Sequence, residues 1–293
     1  MDAIKVSSLT KYYGKARGVE RVSLTVARGA FFGFIGPNGA GKSTTIRTLL
    51  GLIRPTSGEA RVLGLDCWKD RKQILARVGY LPSEAAFYSG MRVRDVLKLS
   101  ADLRRKDCGE AAYRLCERLQ LDPSRKVEAL SFGNRKKAAI VCALQHDPEL
   151  LILDEPTGGL DPLMQKVFFD ILRERNETGT TIFLSSHILS EIQRNCSHAA
   201  IIREGKIVAC DRVEILAKAN AKRVRIHGEA ALDRLDGIRD LHISAGSANF
   251  LYSGDMHALL SALAGGNIHD LSVSEPDFEE VFMHYYEEGG AAK

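Results

Sequence analysis

The chain is poor in the features that mark specialised classes of protein. It has one tryptophan and eight prolines in 293 residues, and aromatics make up 7%. No apolar run approaches the roughly 20 residues of a membrane-crossing helix; the run Leu150-Leu151-Ile152-Leu153 stops at Asp154. The start, Met1-Asp2-Ala3-Ile4-Lys5, has no basic stretch followed by an apolar one, so no secretory leader is expected. The six cysteines (67, 108, 116, 142, 196, 210) form no CxxC pair and no zinc-like spacing with histidine, which predicts reduced thiols. There is no internal repeat and no low-complexity linker. What is present is an ordinary globular composition, 45% hydrophobic and 27% charged, with room for one large domain or two smaller ones. The net charge of +4 is uneven: residues 1–219 hold 35 Lys and Arg against 25 Asp and Glu, and residues 220–293 hold 6 against 12. A basic body admits nucleic acid or anionic lipid as partner. A phosphate-handling site accounts for it as well, and no nucleic-acid partner is expected.

The pattern along the chain alternates between strand and helix. Residues 4–26 read as paired strands, turning at Arg28-Gly29, and Phe31-Phe32-Gly33-Phe34-Ile35 reads as a strand buried on both faces. Helical spacing follows over 42–50, 93–105, 110–121, 135–144 and 162–175, with most of 85–145 helical. Strand character at 150–153 and 180–184 brackets the last of these helices, which predicts a βαβ unit in a parallel sheet. Residues 199–209 read as a hairpin. From about Ala221 short strands (223–227, 241–244, 249–252, 269–273) alternate with short helices, as in a small α+β appendix.

Two motifs carry chemistry. Gly36-Pro37-Asn38-Gly39-Ala40-Gly41-Lys42-Ser43-Thr44 matches GxxxxGK[ST] between a strand and a helix. Its glycines let backbone amides turn around phosphates, and the helix N-terminus adds its positive dipole end. Lys42 would bind the β- and γ-phosphates of a nucleotide, and the Ser43 hydroxyl would ligate Mg²⁺. The apolar strand 150–153 then ends in Asp154-Glu155, which places two carboxylates at the carboxyl edge of a sheet. Asp154 suits Mg²⁺ coordination through water, and Glu155 suits the deprotonation of an attacking water.

With these motifs the chain resembles the ATP-binding subunits of ABC transporters over about residues 3–210. Leu130-Ser131-Phe132-Gly133-Asn134 sits where that family has its LSGGQ signature, ahead of a helix that Ser131 can cap. The resemblance implies an α/β fold: a P-loop NTPase core of the ABC ATPase type, an antiparallel β subdomain, and a helical subdomain at about 85–145. The cassette would span 1–219 and an accessory α+β domain 220–293. It implies that Ser131 and Gly133 close over the ATP of the opposite subunit, that Asp161 in Gly158-Gly159-Leu160-Asp161 contacts that subunit, and that His187 bonds the γ-phosphate. Tyr13 falls where the family stacks an aromatic on adenine, with Tyr12 the competing choice. Two departures stand out. Ser83, with Glu84 beside it, occupies the slot of the Q-loop glutamine, a metal-contacting position, and Phe132 replaces the first glycine of the signature.

The tail Ser274-Glu275-Pro276-Asp277-Phe278-Glu279-Glu280-Val281-Phe282-Met283-His284-Tyr285-Tyr286 is similar to the ending of ATPase subunits that serve two-component bacterial exporters. The function so implied is an ATPase that dimerises, with itself or a related subunit, around two ATP–Mg²⁺ and drives a separate integral-membrane permease, docked on the helical subdomain. The chain would be cytoplasmic and peripheral on the inner face of the membrane. The alternative is a soluble ABC ATPase acting on a ribosome or another macromolecule. The DNA-repair branch is excluded by the 86 residues between Thr44 and Ser131, which leave no room for a long coiled coil.

Overall fold

The computed structural model describes residues 2–216, 222–229, 232, 235–244 and 246–274. Its first compact unit, Met1–Val213, begins with two long antiparallel strands, β1 (Asp2–Tyr13) and β2 (Ala16–Ala27). Then come β3 (Phe31–Ile35), α1 (Lys42–Leu49), β4 (Ser57–Val62), β5 (Leu65–Asp66), α2 (Arg71–Arg77) and β6 (Val78–Leu81). The helices α3 (Val93–Leu103), α4 (Gly109–Arg118) and α5 (Phe132–Leu144) follow. The unit continues with β7 (Leu150–Asp154), α6 (Pro162–Glu177), β8 (Thr181–Ser186), α7 (Leu189–Asn195), β9 (His198–Arg203) and β10 (Lys206–Arg212).

Two sheets result. One is antiparallel, in the order β2-β1-β4-β5; the other runs β10-β9-β3-β8-β7-β6, parallel throughout except for its β9–β10 hairpin. Every residue of β3, β7 and β8 is buried, which explains the apolar runs at 31–35, 150–153 and 182–184 within them. The central core crosses between layers: Phe183 on β8 stacks on Phe32 at 5.9 Å and tilts against Phe34 at 5.3 Å, and the cluster extends to Ile4, Leu24 and Ile46. Helix α5 lies close on the sheet because Gly79 has no side chain; a Cβ there would sit 2.2 Å from the Ala143 carbonyl. The functional consequence is that β3, β6, β7 and β8 all deliver their carboxyl ends to one edge.

The periodicity placed most of these elements, missed the short helices α2 and α7, and misjudged some ends. Helix α5 starts three residues before the expected 135, because Ser131 caps it by accepting from the Asn134 N–H at 3.3 Å. Helix α4 stops at Arg118, short of the expected 121, as Gln120 turns left-handed at φ 52°. A short helix, α8 (Val213–Leu216), starts on the last residue of this unit, and the second unit, Glu214–Lys293, continues with β11 (Lys222–Glu229), β12 (Ile238–Ser244), β13 (Ser247–Tyr252), α9 (Met256–Ala264) and β14 (Asn267–Ser274). Its antiparallel sheet, ordered β12-β13-β11-β14, packs Val224, Ile226 and Phe250 against Leu259 and Leu263 of α9. The exporter-like tail, beyond its first residue Ser274, and the expected boundary at 219/220 lie outside the described residues.

Candidate active site

The loop from Gly36 to Gly41 turns at Gly39 (φ 81°) and Gly41 (φ 110°), conformations that favour glycine, and Gly41 caps α1. The loop side chain Lys42 is 5% exposed, and its ammonium donates to the carbonyls of Gly36 at 2.5 Å and Pro37 at 3.2 Å. Its third contact is an ion pair with Glu155 Oε1 at 3.0 Å. The other Glu155 oxygen, Oε2, is 2.6 Å from His187 Nδ1. Lys42, Glu155 and His187 therefore form one line of contacts from the loop after β3 to the ends of β7 and β8.

Beside that line Asp154 is buried and doubly held: Ser43 Oγ donates to Oδ2 at 2.9 Å and Ser185 Oγ donates to Oδ1 at 2.7 Å. Ser43 and Asp154 meet here, Ser83 lines the cavity wall, and the polar side-chain atoms these residues carry are all oxygens. That set fits Mg²⁺, which takes few protein ligands and completes its shell with phosphate and water. The cavity at this edge measures about 310 Å³ and is lined by Tyr13, Pro37, Asn38, Gly39, Gly41, Lys42, Ser43, Thr44, Ser83 and Glu155. Tyr13 is half-exposed on its wall, whereas Tyr12 does not line it. Gly36 and Ala40 lie within the same loop, Ala40 buried.

The remaining expected residues stand apart from the Lys42–Glu155–His187 line. Ser131 and Gly133 open α5, and Asp161 caps α6 by accepting from the Met164 N–H at 3.0 Å. Phe132 packs on Gly159, and a Cβ at Gly133 would sit 2.4 Å from the Gly159 carbonyl. The signature and the 158–161 loop thus interlock within one chain, through a ring where the family has a glycine.

Three features escaped the sequence reading. Glu155 adopts a left-handed backbone (φ 48°), a strained conformation for a side-chain-bearing residue. It is held there from both sides: its N–H donates to the Ser185 carbonyl at 3.1 Å, and its carbonyl accepts from Lys136 at 3.0 Å. Lys136 itself is 1% exposed, and burial pushes its ammonium down to about 8 against the opposing pull of Asp154, Glu155 and Glu84. Finally, Glu191 of α7 lies buried behind His187, with Ser186 Oγ donating to it at 2.7 Å. A lysine in a basic run and a glutamate in a short helix both read as solvated positions, and no pattern in the sequence separates them from that.

Burial raises the Glu191 carboxyl above its ordinary value, although hydrogen bonds from Thr157 and Ser186 pull the other way. A raised acid favours the folded state at low pH and loses that contribution as pH climbs through the folded value. Glu191→Gln keeps the shape and removes the charge. Its melting temperature should exceed that of the wild type at pH 8, and the gap should close towards pH 4. A gap that stays constant over that range would show that Glu191 is ionised in the fold at no extra cost.

Comparisons with known proteins show the family. The family model described as ABC transporter matches residues 19–158. The chain is 41% identical over 226 residues to the bacitracin transport ATP-binding protein BcrA of Bacillus licheniformis, covering 75% of this chain and 72% of that protein. It is 30% identical to the linearmycin resistance ATP-binding protein LnrL of Bacillus subtilis, covering 96% of this chain and 97% of its relative. A solved ATP-binding subunit of an ABC transporter superposes with a TM-score of 0.68 at 30% identity, over 73% of this chain and 91% of that one. The chain belongs to the ABC transporter ATP-binding proteins, and is an ATP-binding, ATP-hydrolysing subunit of such a transporter.

Proposed function

We propose that this subunit powers export through a separate integral-membrane permease, with Glu155 as the base and Lys42 and His187 as γ-phosphate ligands. The reading rests on the line Lys42–Glu155–His187 at one sheet edge. The ammonium of Lys42 donates to the Gly36 and Pro37 carbonyls and is ion-paired with Glu155 Oε1, so an arriving phosphate oxygen takes the place of the Glu155 carboxylate. Glu155 is then released towards a water on the far side of the γ-phosphate, where His187 holds its second oxygen. Backbone amides of 36–44 and the α1 N-terminus bind the remaining phosphate charge. Ser43 and Asp154, with Ser83 at the wall, would hold Mg²⁺, which neutralises charge on the β- and γ-phosphates when bound. Tyr13 would stack on the adenine.

Catalysis needs a second cassette, a copy of this chain or a related subunit, whose Ser131, Gly133 and Asp161 close over the nucleotide. The cassette is 1–219, the accessory domain 220–293, and the subunit sits at the cytoplasmic face of the membrane, held there by its permease. Between α3 and α4 a groove of about 660 Å³ has an apolar floor of Leu97, Ala101, Ala112 and Cys116 and exposed basic residues such as Arg94 and Lys98. That groove suits a permease helix. Export is favoured over action on a ribosome because the relatives above are named for bacitracin transport and linearmycin resistance. No helix among the described residues is long and apolar enough to cross a membrane. Purification of the tagged full chain from detergent-solubilised membranes should bring down a multispan protein in stoichiometric amount. Recovery with ribosomes and no membrane protein would overturn the reading.

A further inference from the structure

Lys136 occupies a place that an apolar side chain would fill at less cost in desolvation. It lies five residues into α5, and all three of its ammonium protons go to backbone carbonyls: Pro82 at 3.0 Å, Ser83 at 2.9 Å and Glu155 at 3.0 Å. With its donors spent, it can bind neither phosphate nor metal. What it joins is specific. Pro82 and Ser83 follow β6, with Ser83 at the wall of the nucleotide cavity; Glu155 carries the carboxylate just past the end of β7; and α5 is the helix capped by Ser131.

We propose that Lys136 is a positioning residue that ties the signature helix to the loop at Ser83 and to the backbone of Glu155, so that movement of α5 is transmitted to the catalytic carboxylate. The Glu155 backbone is left-handed and held by two bonds, one to β8 and one to Lys136. Losing the second frees the strained residue to relax and carries the carboxylate away from the Lys42–His187 line. The inference rests on the ATPase reading above and adds a consequence to it. In a dimer Ser131 serves the partner's nucleotide and Glu155 the chain's own, so Lys136 links the two sites within one subunit.

The test compares wild type with Lys136→Met, which keeps length and volume without donors, and Lys136→Gln, which restores two donors. ATP turnover, equilibrium ATP binding and backbone amide exchange over residues 82–86 are measured on the full chain. Lys136→Met should lower kcat at least tenfold, leave the ATP Kd within threefold, and speed exchange over 82–86. Lys136→Gln should lie between, with kcat two- to fivefold below wild type. A purely structural lysine would lower the melting temperature of Lys136→Met and leave kcat per folded molecule unchanged, and that result overturns the proposal. So does a parallel fall in kcat and ATP affinity. Should Lys136→Met fail to fold, Lys136→Gln decides: wild-type kcat with wild-type exchange overturns it. If wild type itself did not hydrolyse ATP, the ATPase reading would fail, and exchange over 82–86 would still report on the tether.

Discussion

Glu155→Gln should reduce ATP turnover by about 100-fold or more while ATP binding stays intact, a loss typical of removing a positioned base. The amide has the size of the carboxylate and can still approach His187, yet it cannot take a proton from water. The backbone that presents it is fixed independently of the side chain, by Ser185 on one side and Lys136 on the other, so the substitution leaves the loop in place. Binding should if anything tighten. Lys42 is ion-paired to Glu155 at 3.0 Å, and an incoming phosphate must displace that carboxylate; a neutral amide competes less well for the ammonium. Equilibrium titration with ATP and single- against multiple-turnover hydrolysis separate the two effects. Multiple turnover at the wild-type rate would remove Glu155 from the role of base. A collapse of ATP affinity would mean that the carboxylate supports the phosphate loop more than it competes with it.

How much of this was legible in the sequence depends on what kind of signal each part leaves. The loop from Gly36 to Thr44 is a local motif, and Gly39 and Gly41 take the left-handed turns that such a loop needs. Asp154 and Glu155 were readable because an apolar strand that ends in charge must end at a sheet edge. Tertiary tethers leave no such trace. Lys136 follows Arg135 and precedes Lys137, so its immediate neighbours suggest a solvated basic face, and only the close approach of α5 to β6, permitted by Gly79, buries it. Asp161 is the opposite case: the resemblance singles it out for contact across a dimer, and what the fold shows is its place as the cap of α6. Phe132 reads as a departure from a glycine motif, but it has a partner, since Gly159 leaves the space its ring fills. The helix ends were missed where side-chain caps and a left-handed glutamine, rather than glycine and proline, set the boundary.

Lys42→Met should weaken ATP binding by about 100-fold, the equivalent of ~2.7 kcal/mol. Charge-assisted hydrogen bonds are worth about 1.5–3 kcal/mol each, and one or two of them to the β- and γ-phosphates suffice for that loss. The substitution has a second effect in the protein without nucleotide. Glu155 is only 22% exposed, and without the ammonium its Oε1 carboxylate oxygen faces a half-closed cavity with no cation, an arrangement that destabilises the fold. Lys42→Met should therefore melt below wild type. Adding Glu155→Gln removes the stranded charge, so the double variant should melt above Lys42→Met, while its ATP affinity stays low because the phosphate ligand is still missing. Thermal melts of the four proteins form a double-mutant cycle with a favourable coupling between the two positions. Purely additive melting temperatures would mean that the 3.0 Å contact contributes nothing to stability. Wild-type ATP affinity in Lys42→Met would place the phosphates elsewhere in the cavity. The two readouts move in opposite senses on adding Glu155→Gln, stability up and turnover nil, which no general disruption of the loop would produce.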